Sequence, residues 1–213
     1  MTQNEEMQFD DPAPGGRKIS DHVAREAAIM LRDGRIDAIG TAIDIAMDEF
    51  DARPGQRPSK SIVRKHIQAM TMQDVGDDGY RALTRRIFEV ADDAMTTIEL
   101  AFDDVECSLV GRAALGYHDG GVNIHIRMYT DRAADDIAEL LEERGYDEVA
   151  FNTADTRYGR MNQILASDDG QPLTITRIPL GMRVDRDSHL FKDKPMNSID
   201  RAAVRARIDE LTD

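Results

Sequence analysis

Two hydrophobic periods divide this chain, and the change between them falls near residue 103. Before it, apolar residues recur every third or fourth position, the spacing that puts them on one face of an α-helix. Ile19, Val23, Ala27 and Met30 or Leu31 form the first such stripe, with Ser20 as a candidate cap and Gly34 as its stop. Ile36, Ile39, Ile43, Met47 and Phe50 form a second, broken by the run from Arg53 to Pro58. Ser59 opens a third with Ile62, Val63, Ile67 and Met70. A polar, acidic loop is expected over 73–79. The longest helical pattern follows over 79–102, carried by Leu83, Ile87, Val90 or Ala91, Ala94, Ile98 and Ala101.

Beyond residue 103 the period shortens to two. Leu109 to His118 reads as one strand and 122–130 as another, joined by a tight turn at Asp119-Gly-Gly121. The second strand alternates strictly: Val122, Ile124, Ile126 and Met128 share one face, and Asn123, His125, Arg127 and Tyr129 share the other. Asp131 then stands where an N-cap belongs, before Ala134, Ile137, Ala138, Leu140 and Leu141, and Gly145 ends that helix. Strands are expected over 148–154, 160–167 and 172–180, the last two joined at Asp168-Asp-Gly170. Residues 182–197 look irregular and 198–211 look helical. The pattern predicts an α+β protein whose mixed or mostly antiparallel sheet has about five strands. Residues 1–17 are read as a flexible tail, 18–102 as a helical region, and 103–213 as the α+β domain with its C-terminal helix.

Composition narrows the partners. The chain carries 41 acidic against 27 basic residues, a formal net charge of -14. Such a surface repels phosphate backbones, so general nucleic-acid and anionic-membrane binding are disfavoured. Cys107 is the single cysteine, which removes a disulfide framework and any cysteine-rich metal site. No apolar run approaches the ~18 residues of a bilayer span, and the first residues show no signal pattern, so a cytoplasmic protein is expected.

The order of elements from Val110 to Pro179 resembles the nucleotidyltransferase superfamily of the DNA polymerase beta type. There a glycine at a strand start precedes a strand of pattern hydrophobic-Asp-hydrophobic-Asp-hydrophobic, with a third carboxylate on a later strand. Those carboxylates hold divalent metal ions that activate the attacking hydroxyl. Here Gly111-Arg112 stands at the glycine position, Val122-Asn-Ile-His-Ile126 at the paired-carboxylate position, and Thr174 or Thr176 about where the third would lie. The chain from about Arg17 is also similar to a group of uncharacterised bacterial proteins of this fold. That likeness rests on the Ala24-Arg-Glu-Ala-Ala-Ile-Met-Leu31 helix, the 129–146 segment and Asp193-Lys-Pro-Met196. The resemblance implies the fold. It also implies a departure in chemistry, because an amide, an imidazole and a threonine cannot replace oxygen anions around two hard cations.

Arg112, Asn123, His125, Arg127, Thr174 and Thr176 are therefore the candidate ligand-binding residues. Arg127 would accept a phosphate or carboxylate, and His125 would serve as donor, acceptor or proton switch. The bland alternative is that the row is a solvated face, or one packed under other elements with its hydrogen bonds satisfied. Arg160 and Arg177 lie on neighbouring candidate strands and would join Arg112 if strand parity allowed. A zinc site from Cys107, His118 and His125 matches no standard spacing. The acidic pairs 92–93, 103–104, 135–136 and 142–143 read as solvated surface, with Asp103, Asp104 and Glu106 the one displaced-metal option. Ser108 lacks a nucleophile elbow. Met70, Met72 and Met161 read as core filler.

The expected function is a binding or regulatory module for a small anionic ligand or a protein partner, without two-metal nucleotidyl transfer and with no cofactor. The enzyme alternative is an active nucleotidyltransferase, using magnesium or manganese on carboxylates elsewhere. A third class is a structural interaction protein with no ligand.

Overall fold

A computed structural model of the chain describes residues 14–36, 38–118 and 123–212, with side chains from Lys18 onward. The turn expected at 119–121, Val122 and the first 13 residues of the expected tail lie outside the described residues. The chain divides into two compact units, one ending at Asp74 and one beginning at Val75. The division groups residues 75–102 with the sheet, where the hydrophobic pattern groups them with the preceding helices.

The first unit is helical. Helix α1 (Pro14–Arg32) begins inside the stretch expected to be a tail, ahead of Ser20, and Gly34 ends it at φ +66. It packs against α2 (Ile39–Glu49) and the first arm of α3 (Lys60–Ala101). Val23, Ala27, Ala42, Ile43, Ala46, Val63 and Ile67 close this core. Its small alanines let the helices approach closely, while the larger side chains supply about 2 kcal/mol of burial each. The loop expected over 73–79 is instead helical, interrupted by Gly76 at φ 71, ψ 177. Polar, acidic sequence does not forbid helix; only the glycine breaks the repeat.

The second unit is α+β. Its strands are β1 (Glu106–Val110), β2 (Ile124–Tyr129), β3 (Asp147–Thr156), β4 (Gly159–Asp168), β5 (Gln171–Ile178) and the two-residue β6 (Ser198–Ile199). They form one sheet in the order β3-β4-β5-β2-β1-β6, antiparallel except for the β2–β5 pair. The second arm of α3, together with α4 (Ala134–Glu143) and α5 (Arg201–Thr212), packs on one face. Ile87, Met95, Ile98, Leu109, Ile124, Ile126, Met128, Ile137, Leu141 and Ile175 are fully buried there. The alternation of β2 thus reads correctly on its apolar side.

Two local expectations are corrected. The first strand ends at Val110 rather than reaching His118. Gly111 (φ 77) turns the chain, Ala113–Leu115 forms a short 3-10 turn, and Gly116 (φ 69) ends it. Leucines and alanines there had the look of a strand, but two left-handed glycines five residues apart leave no room for one. Second, Asp131 does not cap α4. Ala133 holds the cap position, while the Asp131 carboxylate accepts from the Leu180 amide at 3.0 Å. The stretch 182–197 is irregular, as expected, and forms a strap laid over the second face of the sheet. Its Leu190, with Met182 and Val184 at the margin, joins Tyr129, Met161 and Ile178 in a small separate core.

No helix among the described residues is long and apolar enough to cross a membrane.

Candidate functional site

Strand pairing decides which candidates share a face. His125 lies between Val110 of β1 and Thr174 of β5; Arg127 lies between Ser108 and Thr176. Side chains at paired positions point the same way, so His125, Arg127, Thr174 and Thr176 all stand on the face away from the helices. Gln163 of β4, paired with Thr176, extends the row, and Asn152 of β3, paired with Gln163, ends it.

Hydrogen bonds knit this row across the sheet. Asn152 Nδ2 donates to Gln163 Oε1 at 3.1 Å, and Gln163 Nε2 donates to Thr176 Oγ1 at 3.1 Å. Thr174 Oγ1 donates to Asn123 Oδ1 at 3.2 Å. Thr174, Thr176 and Gln163 are buried, so these bonds satisfy groups that would each cost about 1–3 kcal/mol if left unpaired.

Arg127 has another fate. It is 1% exposed, and the strap covers it. Nη1 donates to the carbonyl of Arg186 at 2.8 Å and Nη2 to that of Ser188 at 2.6 Å, while Nε has no partner among the described residues. The guanidinium therefore serves as a clasp for backbone carbonyls, and no ligand reaches it in this arrangement. Other contacts hold the strap down. Arg186 stacks over the Tyr129 ring at 5.2 Å and pairs with Glu106. Tyr158 Oη and Ser188 Oγ lie 2.6 Å apart, and the Arg157 amide donates to the Leu190 carbonyl at 2.9 Å.

The open end of the row is at His125. Its side chain is exposed, and Asn123 beside it is half-buried. Although water reaches the ring, the surrounding protein limits its hydration, and this desolvation pushes its pKa below the usual histidine value. At neutral pH it is an uncharged imidazole with one donor and one acceptor nitrogen. Arg112 follows two residues after Val110, the strand partner of His125.

The remaining candidates do not join them. Arg177 pairs with Met128 and so emerges on the helix side, where its guanidinium donates to the carbonyls of Asp131 and Arg132. Arg160 is exposed at the start of β4 and pairs with Asp155 at 3.0 Å. Cys107 also faces the helices; burial, with Glu99 and Glu106 nearby, drives its thiol pKa strongly up. Cys107 and His125 thus stand on opposite faces of the sheet, and the zinc trio does not assemble. Asp104 is spent on Arg132 at 2.7 Å and Glu106 on Arg186. Among the described residues no group of three His, Cys, Asp or Glu is placed to hold a metal ion.

The hydrophobic pattern did not reveal a second concave feature. An open cavity of about 720 Å³ lies on the helix side, between the start of α4 and the β3–β4 hairpin. Phe151, Thr153, Asn162, Arg177, Ala133 and Asp135 are among the residues that line it. Its sequence signal is the length of β3 and β4, ten residues each, against an α4 of equal count but less than half the reach.

Compared with protein-family models and with curated proteins, the chain matches none.

Proposed function

We propose that this chain is a binding module on a nucleotidyltransferase-like sheet, and that it takes a small anionic ligand of nucleotide type without two-metal transfer. The ligand end is the corner formed by Asn123, His125 and Thr174. The observation that carries the reading is the chemistry of that corner: a half-buried amide, oriented by the buried Thr174 hydroxyl that donates to it, beside an uncharged imidazole open to water. Such groups hydrogen-bond a base or a sugar and need no metal. They are poor ligands for magnesium or manganese, which take anionic oxygen. Arg112 supplies positive charge at the same end of β1, and Arg127 contributes by fixing the strap rather than by touching ligand. The reading places the module in the cytoplasm.

Thermal denaturation in EDTA with a panel of nucleoside mono-, di- and triphosphates tests it. Stabilisation by at least one of them, lost in His125→Ala, is the expected result. No shift across the panel overturns the ligand assignment.

The second reading, a module for a protein partner, has one specific observation behind it. Strand β3 is a long sheet edge, and no described residue pairs on its outer side.

A further inference from the structure

We propose that the cavity beside α4 is a second ligand site, and that it takes an uncharged polyhydroxy ligand of the sugar class. This inference is independent of the ligand corner, which lies on the other face of the sheet. Strand register builds the floor. Thr153 pairs with Asn162, and the Gln163–Thr176 pair sets Asn162 next to Arg177, so these three form one polar row on the helix side. The neighbouring row is Ile175, Ile164 and Phe151. Both isoleucines are completely buried under the helices, but Phe151 is left 57% exposed. An aromatic ring and a polar row thus lie side by side in an opening of about 720 Å³, a size usual for small-ligand sites.

Hydrogen bonds fix one part of the lining and leave another part free. The Arg177 guanidinium donates to the carbonyls of Asp131 and Arg132, and the Asp131 carboxylate accepts from the Leu180 amide at 3.0 Å. These bonds tie the loop ahead of α4 to the end of β5, so that wall is preorganised. Asn162, Thr153 and Asp135 line the same cavity, and their side chains have no hydrogen-bond or ion-pair partner among the described residues. An amide, a hydroxyl and a carboxylate are therefore left to meet a ligand. Charge selects its class. An anion entering here meets the carboxylates of Asp131 and Asp135, whereas a cation meets Arg177 and the positive start of α4, which no side chain caps. Neither sign is favoured, and a purely apolar molecule would leave the three polar groups without partners. A sugar satisfies all of these conditions. The hydroxyls around its rim both donate and accept, which suits Asp135, Asn162 and Thr153, and the C–H groups on its face lie against the Phe151 ring.

Titration of the isotope-labelled full chain with glucose, galactose, mannose, N-acetylglucosamine, maltose and lactose, followed by backbone amide NMR, tests the proposal. The expected result is a saturable shift with at least one of these sugars, concentrated in residues 131–135, 151–153 and 162. Phe151→Ala and Asn162→Ala are exposed changes that leave the rest of the spectrum in place, and each weakens the binding by about tenfold or more. His125→Ala leaves it unchanged, which separates this site from the nucleotide corner. No saturable shift with any of the six sugars overturns the proposal. So do shifts that saturate elsewhere on the chain, binding indifferent to both Phe151→Ala and Asn162→Ala, or a cavity that takes inorganic phosphate or tetramethylammonium in preference to every sugar. None of these outcomes touches the nucleotide reading, which is tested by His125 alone.

Discussion

The Nη2 of Arg127 lies 2.6 Å from the backbone carbonyl of Ser188, sixty-one residues away, in a site that excludes solvent. Among the described residues no carboxylate accepts from this guanidinium; two main-chain carbonyls do. A buried cation without an anion is costly, and it is kept only where its hydrogen bonds hold something in place. What it holds is the strap over the second face, which otherwise has only Leu190 fully inside.

Arg127→Ala should therefore act on stability before it acts on binding. It leaves two strap carbonyls without donors and a void beneath them, a loss of about 3 kcal/mol. Urea unfolding reads the loss, and hydrogen exchange should show it concentrated in 186–190. A loss below about 1 kcal/mol would contradict the clasp.

Gly116 and Gly145 separate backbone strain from crowding. Both are left-handed, at φ 69 and φ 86. A Cβ at Gly145 meets nothing within 4 Å, whereas one at Gly116 meets Thr84 Cγ2 at 3.1 Å and the Phe88 ring at 3.3 Å. Gly145→Ala should cost about 1 kcal/mol for conformation alone. Gly116→Ala should cost that plus about 1–2 kcal/mol of displaced packing. Equal losses in urea unfolding would mean that the Thr84–Phe88 surface yields freely.

The two histidines of the second face give a pH dependence of known sign. His125 is shifted down by desolvation, and His189 by desolvation first and then by Lys194, Lys192 and Arg127. A histidine with a folded pKa below its unfolded value binds fewer protons when folded. Its contribution is present above the unfolded value of 6.5 and is lost as pH falls through the folded value. Melting temperatures of the wild type and of His125→Asn/His189→Asn, compared from pH 7.5 to 5.5, isolate this part from the carboxylates. The wild type should lose more stability on acidification than the variant. Parallel curves would contradict the shift.

How much was legible follows from what periodicity encodes. Alternation in 122–129 gave the faces of β2 correctly, because side-chain direction is a property of the strand itself. It also gave α+β class and most strand positions. It gave no information on what lies over the polar face, since cover comes from a segment some sixty residues later. Arg127 consequently looked like a ligand arginine and is a clasp. The signal for the strap was present in Met182, Val184 and Leu190, but they follow neither helix nor strand period. The end of β1 is hidden for a simpler reason: apolar neighbours mask the left-handed turns that Gly111 and Gly116 make.

The most direct test of the account is isothermal titration of nucleotides into the wild type and His125→Ala, each in EDTA and in magnesium. The account predicts binding to the wild type that persists in EDTA, disappears in His125→Ala, and leaves the nucleotide chemically unchanged. Binding that requires magnesium, or turnover of the triphosphate in its presence, would contradict it.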